Sequence, residues 1–237
     1  MIDNIFGILV IDKPKDMTSH DVVSWVRRKF AIDKVGHAGT LDPNATGVLV
    51  LLLGKATKMS DTFMNSDKEY LAVMELGKTT DSCDACGKVT AEKGIKDLDL
   101  DETKISETVK RFTGVIDQLP PMFSAIKIGG EKLYNLARKG IEIEREPKKV
   151  NIKEIEVTKI ELPIVEFRVL CGKGTYIRQL VYDIGEKLSS GAYLKELRRT
   201  RSGDFTVEKS VTLEALEKMT RESVLTLGRS WQFLRSV

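Results

Sequence analysis

The order of patterns along this chain of 237 residues predicts an α+β fold, with helices and loops around a large mixed sheet. Three observations carry that prediction. Short apolar runs of strand length, GILVID at 7–12 and VLVLLL at 48–53, lie among stretches with helical periodicity. Two long strand-like segments, 150–162 and 164–171, meet at Pro163. No repeat and no low-complexity linker interrupts the chain, so a single domain over 1–237 is expected.

The first strand, 7–12, ends at Lys13-Pro14, because proline removes a ladder donor and restricts the residue before it. A helix follows. Thr18 or Ser19 caps it, Asp21 suits its first turn, and Val22, Val23, Val26 and Phe30 form its inward stripe. GHAGTLDPNATG at 36–47 reads as a loop between strand-like segments, and 48–53 as a central strand covered on both faces. A short amphipathic helix is expected after Gly54, a strand over 70–76, and a polar loop over 77–89. Residues 101–112 form a helix stopped by Gly114. Beyond the Pro120-Pro121 pair come a strand, a turn and a short helix. After the two long strands, 175–188 is a helix and 192–205 a strand pair. A last helix near 212–219 leads into a short tail.

Apolar residues make up 41% of the chain and charged residues 31%, the balance of a soluble globular protein, which excludes disordered, collagen-like and coiled-coil classes. No apolar run is long enough to span a bilayer, and Asp3 stands where a signal peptide is basic, so a cytoplasmic location with no membrane contact is expected. Cys83 and Cys86 form a CxxC with only Cys171 and two distant histidines as further ligands, which argues against zinc or thiol-redox chemistry. The net charge of +3 is modest but unevenly placed. Between Lys127 and Lys149 seven cations face four acids, and KELRRTR at 195–201 holds four against one. Both clusters read either as solvated faces or as nucleic-acid contacts.

Asp42 is the lone carboxylate of the 36–47 loop. Pro43 pushes it towards an extended conformation, and the flanking glycines permit tight turns and close approach of a ligand. Asp-Pro is also ordinary turn chemistry, so the loop alone leaves a turn cap and a presented acid both open. With Thr175 as cap, Arg178 falls at the third helical position, where the helix dipole disfavours a cation. Such a residue is either an exposed arginine or a functional partner for a carboxylate such as Asp42. Taken singly, Tyr70 reads as core and Lys13 as surface.

In order, DKPKDMTSHDVV, KVGHAGTLDPNATGVL, KEYLAVMELGKTTDSCDACG, QLPPMFSAIKIGGEKLYNLARKG, CGKGTYIRQLVYDIGEKL and LKELRRTRSGDF closely resemble the successive motifs of the bacterial TruB-type tRNA pseudouridine-55 synthases. The resemblance runs from about Phe6 to Phe205, and GHAGTLDP is its most specific part.

It implies the pseudouridine synthase fold, a mostly antiparallel mixed sheet with an RNA-gripping thumb at about 120–150, and isomerisation of one uridine in the TΨC arm of tRNA. By the same resemblance Asp42 is the catalytic aspartate. Tyr70 stacks on the flipped base, Arg178 pairs with the carboxylate, His37 and Tyr176 line the RNA and base pocket, and Leu197 is an apolar pocket wall. Lys13, with Pro14, belongs to the motif that supports the cleft and is grouped with the substrate-binding residues. No cofactor, metal or guide RNA is implied, and a monomer suffices.

The chain departs from the family pattern at Asp16, in place of a glycine, and at Tyr193, in place of a histidine. Aspartate tolerates a positive φ, so the turn at Asp16 is expected to survive. The C-terminal RNA-binding domain that most relatives carry is expected to be absent after WQFLRSV, and its absence to weaken tRNA binding. A silent RNA-binding or tRNA-folding module on the same fold is the competing reading. It need not retain Asp42, Tyr70 and Arg178 together, and all three are present.

Overall fold

The computed structural model describes residues 5–230 apart from Asp97 and Ala125. Along the chain run β1 (Phe6–Lys13), α1 (Ser19–Phe30), β2 (Val35–Ala38), β3 (Thr46–Gly54), a 3-10 turn (Lys55–Met59), α2 (Ser60–Met64), β4 (Lys68–Leu76), β5 (Lys78–Thr80) and β6 (Val89–Glu92). Then come α3 (Glu102–Lys110), β7 (Gly114–Gln118), β8 (Lys127–Ile128), β9 (Glu131–Lys132), α4 (Leu133–Arg138), β10 (Lys148–Glu161), β11 (Ile164–Cys171) and α5 (Ile177–Lys187). β12 (Ala192–Ser202), β13 (Phe205–Thr206), a 3-10 turn (Val207–Lys209), α6 (Leu213–Glu217) and α7 (Arg221–Ser230) complete the order. The result is the expected α+β architecture, with a mixed and mostly antiparallel sheet.

The described residues form two compact units, the first running up to Tyr70 and resuming at Leu197, the second spanning Leu71 to Glu196; β4 and β12 carry the chain from one to the other. In the first unit β3 is central. β1 pairs with it antiparallel along its whole length, from Phe6 opposite Gly54 to Lys13 opposite Gly47. Its other edge is shared: β12 pairs in parallel at Thr46 and Gly47, and β2 antiparallel from Val50 to Leu53. Residues Val48 to Leu53 are all fully buried, as their unbroken apolar run requires. Helix α1 is capped by Thr18, whose side chain accepts from the Asp21 amide while Asp21 accepts from the Thr18 amide. This capping box leaves Val22, Val23, Val26 and Phe30 buried.

In the second unit the strand order is β4, β11, β10, β7. β10 and β11 form the expected hairpin around Pro163, with bulges between Ile152 and Glu154 and between Val157 and Lys159. On β11 burial alternates strictly, Val165, Phe167, Val169 and Cys171 facing inward, and α3 packs against β10 and α5. Small hairpins β5–β6 and β8–β9 project from this frame.

Four expectations change. The 36–47 stretch is not loop throughout: its first three residues lie on β2 and its last two on β3, so the true loop is Gly39 to Ala45. The 77–89 segment carries β5 and the start of β6, with a turn between them. Beyond the helix near 212–219 the chain forms another, α7, which packs on β1 with Val224 buried. Arg178 is the second residue of α5, because Tyr176 rather than Thr175 is its N-cap; the Thr175 hydroxyl instead donates to the Gly172 carbonyl at 2.9 Å. Asp16 adopts φ of 64°, as a residue replacing glycine in that turn must.

Candidate active site

The loop Gly39 to Ala45 leaves β2, carries the half-buried Asp42, and enters β3. Its backbone is gripped from three sides. At its middle, the buried Ser19 hydroxyl accepts from the Leu41 amide at 2.9 Å and donates to the Leu41 carbonyl at 3.1 Å. On the far side of Asp42, the Lys13 ammonium donates to the Pro43 carbonyl at 3.1 Å, and the Asp16 amide adds a second bond to the same oxygen at 2.9 Å. At the near end, Arg199 Nη2 donates to the Gly39 carbonyl at 3.0 Å. Within the loop the Ala45 amide closes a turn on the Asp42 carbonyl at 3.0 Å.

Lys13 is not a surface lysine: none of it is exposed. Its ammonium has three protons, and three carbonyls take them, Pro14 at 2.8 Å, Met17 at 2.6 Å and Pro43 at 3.1 Å. Burial lowers its pKa from 10.5 to about 8, against the pull of Asp42 and Asp16. All three donors of Lys13 are thus committed to backbone carbonyls, one of them in the Asp42 loop.

His37 lies on β2 opposite Leu51. Its Nδ1 is enclosed and meets no hydrogen-bond partner among the described residues. Burial, and then the charges of Arg199 and His20, hold its pKa below the usual histidine range, so the ring is neutral at pH 7. Tyr70 is buried on the same face of β4 as Lys68. The Lys68 ammonium caps the end of α2 through the Phe63, Met64 and Ser66 carbonyls. Leu197 is half-buried on β12, two residues before Arg199.

The KELRRTR cluster is only partly a solvated face. Arg199 is 1% exposed. Arg198 reaches Asp12 with both terminal nitrogens, at 3.1 and 2.7 Å, and Lys195 reaches Glu75 at 2.9 Å. Tyr193, at the position of the family histidine, donates to the same Glu75 at 2.9 Å, and burial with that contact pushes its pKa up to about 12.

In the second unit, Arg178 is 5% exposed. It donates to the Ser82 carbonyl at 3.1 Å and the Phe123 carbonyl at 3.0 Å, and its Nε stands 3.6 Å from the Asp84 carboxylate. Asp84 is thus one acid that accompanies this buried cation. Tyr176 is fixed by the buried Gln118, whose side-chain amide accepts from the Tyr176 N–H at 2.8 Å and donates to its carbonyl at 3.1 Å. Over 120–150 the outer residues are mostly exposed. Arg145 donates to the Pro120 carbonyl at 2.9 Å, tying the two ends of this segment together. Tyr134 lies between Lys132 and Arg138, whose charges are 5.4 and 5.6 Å from its ring centre.

The sequence offers Ser19 only as an alternative helix cap, and does not single out Arg199, Gln118 or Asp84. Each of the four lies inside a motif that the sequence does single out, but its role depends on a backbone group 22 or more positions away, or on an arginine of another element. Among the described residues no cluster of three or more histidine, cysteine or acidic side chains could hold a metal, and no helix is long and apolar enough to cross a membrane.

Comparison with known proteins places these features in one lineage. Residues 27–177 match the N-terminal domain of the TruB family pseudouridylate synthases, and residues 178–229 match the tRNA pseudouridylate synthase B C-terminal domain. The chain is 52% identical over 212 residues to tRNA pseudouridine synthase B of Clostridium tetani, covering 90% of this chain and 73% of that protein. It is 47% identical over 216 residues to the protein of the same name from Syntrophotalea carbinolica, covering 91% and 70%. Among solved structures, it resembles a chain in a crystal structure of a Cbf5-Nop10-Gar1 complex with a TM-score of 0.71 and 38% identity. A chain in an H/ACA RNP bound to a substrate RNA containing 2'-deoxyuridine gives a TM-score of 0.67 and 35% identity. Each likeness covers 90% of this chain, which spans about half the length of the solved chains, 54% and 52%. With the family match extending over most of its length, on both sides of the pinned Asp42 loop, the chain belongs to the TruB family of pseudouridylate synthases.

Proposed function

We propose that this protein isomerises a uridine of tRNA, at position 55 in the TΨC loop, to pseudouridine without a guide RNA, with Asp42 as the catalytic carboxylate. One observation carries the reading: the acid within the family's GHAGTLDP motif is also the one whose loop is held by buried groups at Gly39, Leu41 and Pro43. Such preorganisation is what a reaction at a fixed sugar or base atom requires.

In this isomerisation the glycosidic bond from N1 to the sugar breaks, the base turns, and a bond forms from the sugar to C5. The C5 proton leaves and N1 gains one, so no electron or water is consumed. A uridine inside folded RNA must first leave its stack. Tyr70 supplies the aromatic face that offsets the lost stacking, worth about 1 to 3 kcal/mol. His37, neutral, meets the RNA beside the loop, and Leu197 and Tyr176 bound the base pocket. Arg178 keeps its family role on the strength of its own burial. The cationic segment 127–149 grips the phosphate backbone, which makes binding salt-dependent. A cytoplasmic, monomeric enzyme acting on the T-arm fits the same reading.

Guide independence rests on the stronger likeness to proteins named tRNA pseudouridine synthase B, 52% and 47% identical, than to the chains from H/ACA assemblies. The test is to incubate the protein with an unmodified tRNA transcript alone and map pseudouridine by carbodiimide-based primer extension. A stop at the T-loop uridine is expected, and its absence with both the transcript and a T-arm hairpin would refute the proposal. Asp42→Asn is expected to abolish the stop while retaining RNA binding; product from that variant would remove Asp42 from the catalytic role.

A further inference from the structure

β3 has a gap in its pairing. On the edge opposite β1, β12 covers only Thr46 and Gly47, and β2 covers only Val50 to Leu53. The Val48 carbonyl lies in the notch between them, and a buried backbone acceptor left unpaired is costly. Arg199 fills that notch. Its Nε donates to the Val48 carbonyl at 2.7 Å and its Nη2 to the Gly39 carbonyl at 3.0 Å. Its own backbone, paired with Gly47, lies so close that a side chain at Gly47 would collide with the Arg199 carbonyl. Gly39 in turn holds φ of 95° with Arg199 Nη1 3.5 Å from the place a Cβ would occupy. One buried guanidinium therefore joins the residue where the Asp42 loop begins to the strand where it ends.

We infer that Arg199 is a positioning residue for the isomerisation, a clasp that closes the base of the 39–45 loop and so fixes where Asp42 stands. The inference rests on the proposed role of Asp42. The clasp is specific to arginine. Two carbonyls in different directions are met by one planar fork, whereas a lysine ammonium is a compact charge on a flexible stem. Arg199 has no need of an exposed face or an RNA phosphate, since its donors turn inward. That separates it from two other cations of its segment, Arg198, which pairs with Asp12, and Lys195, which pairs with Glu75.

The test compares Arg199→Met and Arg199→Lys with the parent protein in three measurements: dissociation constant for a T-arm hairpin, single-turnover rate on the same RNA, and amide exchange at Leu41 and Ala45 followed by NMR. Displacing a catalytic group by about 1 Å costs about a hundredfold in rate, so that loss is expected for Arg199→Met, with a smaller loss for Arg199→Lys. RNA affinity stays within about threefold, as expected when no phosphate contact is removed. Exchange quickens at Leu41 and Ala45 but not in the paired core of β3. The clasp is overturned if the rate survives within about threefold, a change too small for a displaced catalytic group. It is equally overturned if RNA affinity falls as far as the rate, or if exchange quickens throughout the unit. Should Arg199→Met not fold, Arg199→Lys, which keeps a buried cation, decides by the same criteria. Asp42→Asn is run alongside: activity in that variant defeats the catalytic reading itself, whereas an inactive Asp42→Asn beside a fully active Arg199→Met defeats only the clasp.

Discussion

Ser19 and Leu41 exchange two hydrogen bonds across 22 positions of sequence, the hydroxyl accepting from the Leu41 amide and donating to its carbonyl. Both residues are buried, so no water replaces the hydroxyl if it is removed. Ser19→Ala is expected to cost about 1 to 3 kcal/mol of stability, the penalty for buried backbone groups left unpaired. Urea unfolding of the variant checks this, and its single-turnover rate falls with the loop's order.

Gly47 is irreplaceable for two independent reasons. Its φ of 97° excludes ordinary side chains, and a Cβ would collide with the Arg199 backbone. Gly47→Ala therefore parts β3 from β12 and costs about 3 kcal/mol or more. Thermal unfolding measures the loss; an unchanged melting temperature contradicts the parallel pairing of these two strands.

Lys13 makes stability depend on pH. Unfolded, it holds its proton up to pH 10.5, and folded only up to about 8. The unfolded chain thus binds more protons between those values, so this group's contribution makes stability rise with pH across that window. The full burial penalty is present below pH 8. Against Lys13→Met, the parent protein should gain up to about 1.4 kcal/mol per pH unit between pH 8 and 10. Urea midpoints of the two proteins at several pH values test it, since other groups titrate alike in both.

Cys83 and Cys86 differ in reactivity despite their spacing. Burial pushes the Cys83 thiol up from 9 to about 11, and Cys86 is exposed. At pH 8 the thiolate of Cys83 is scarcer by roughly a hundredfold than for an ordinary thiol, which makes it slow to alkylate. Timed iodoacetamide labelling with peptide mapping should modify Cys86 first; equal rates would show that the Cys83 loop opens freely.

Elements whose pattern lies within their own residues are legible before folding. Thr18 and Asp21 cap the helix whose apolar stripe follows them, Pro163 turns β10 into β11, and Asp16 takes the positive φ its motif requires. The family, and the identity of Asp42 as the acid of the GHAGTLDP loop, are equally local, because ordered motifs survive in one dimension. The other features depend on long-range packing. β2, four residues without alternation, exists because β3 offers it an edge. α7 contains serine, threonine and glycine, poor helix formers, and is held by its packing on β1. Lys13 and Arg199 look like surface cations in sequence, yet both are buried, since what they bind are backbone carbonyls brought to them by other strands and loops. A backbone carbonyl carries no mark of its residue type, so no motif could have announced which side chain would be needed to satisfy it.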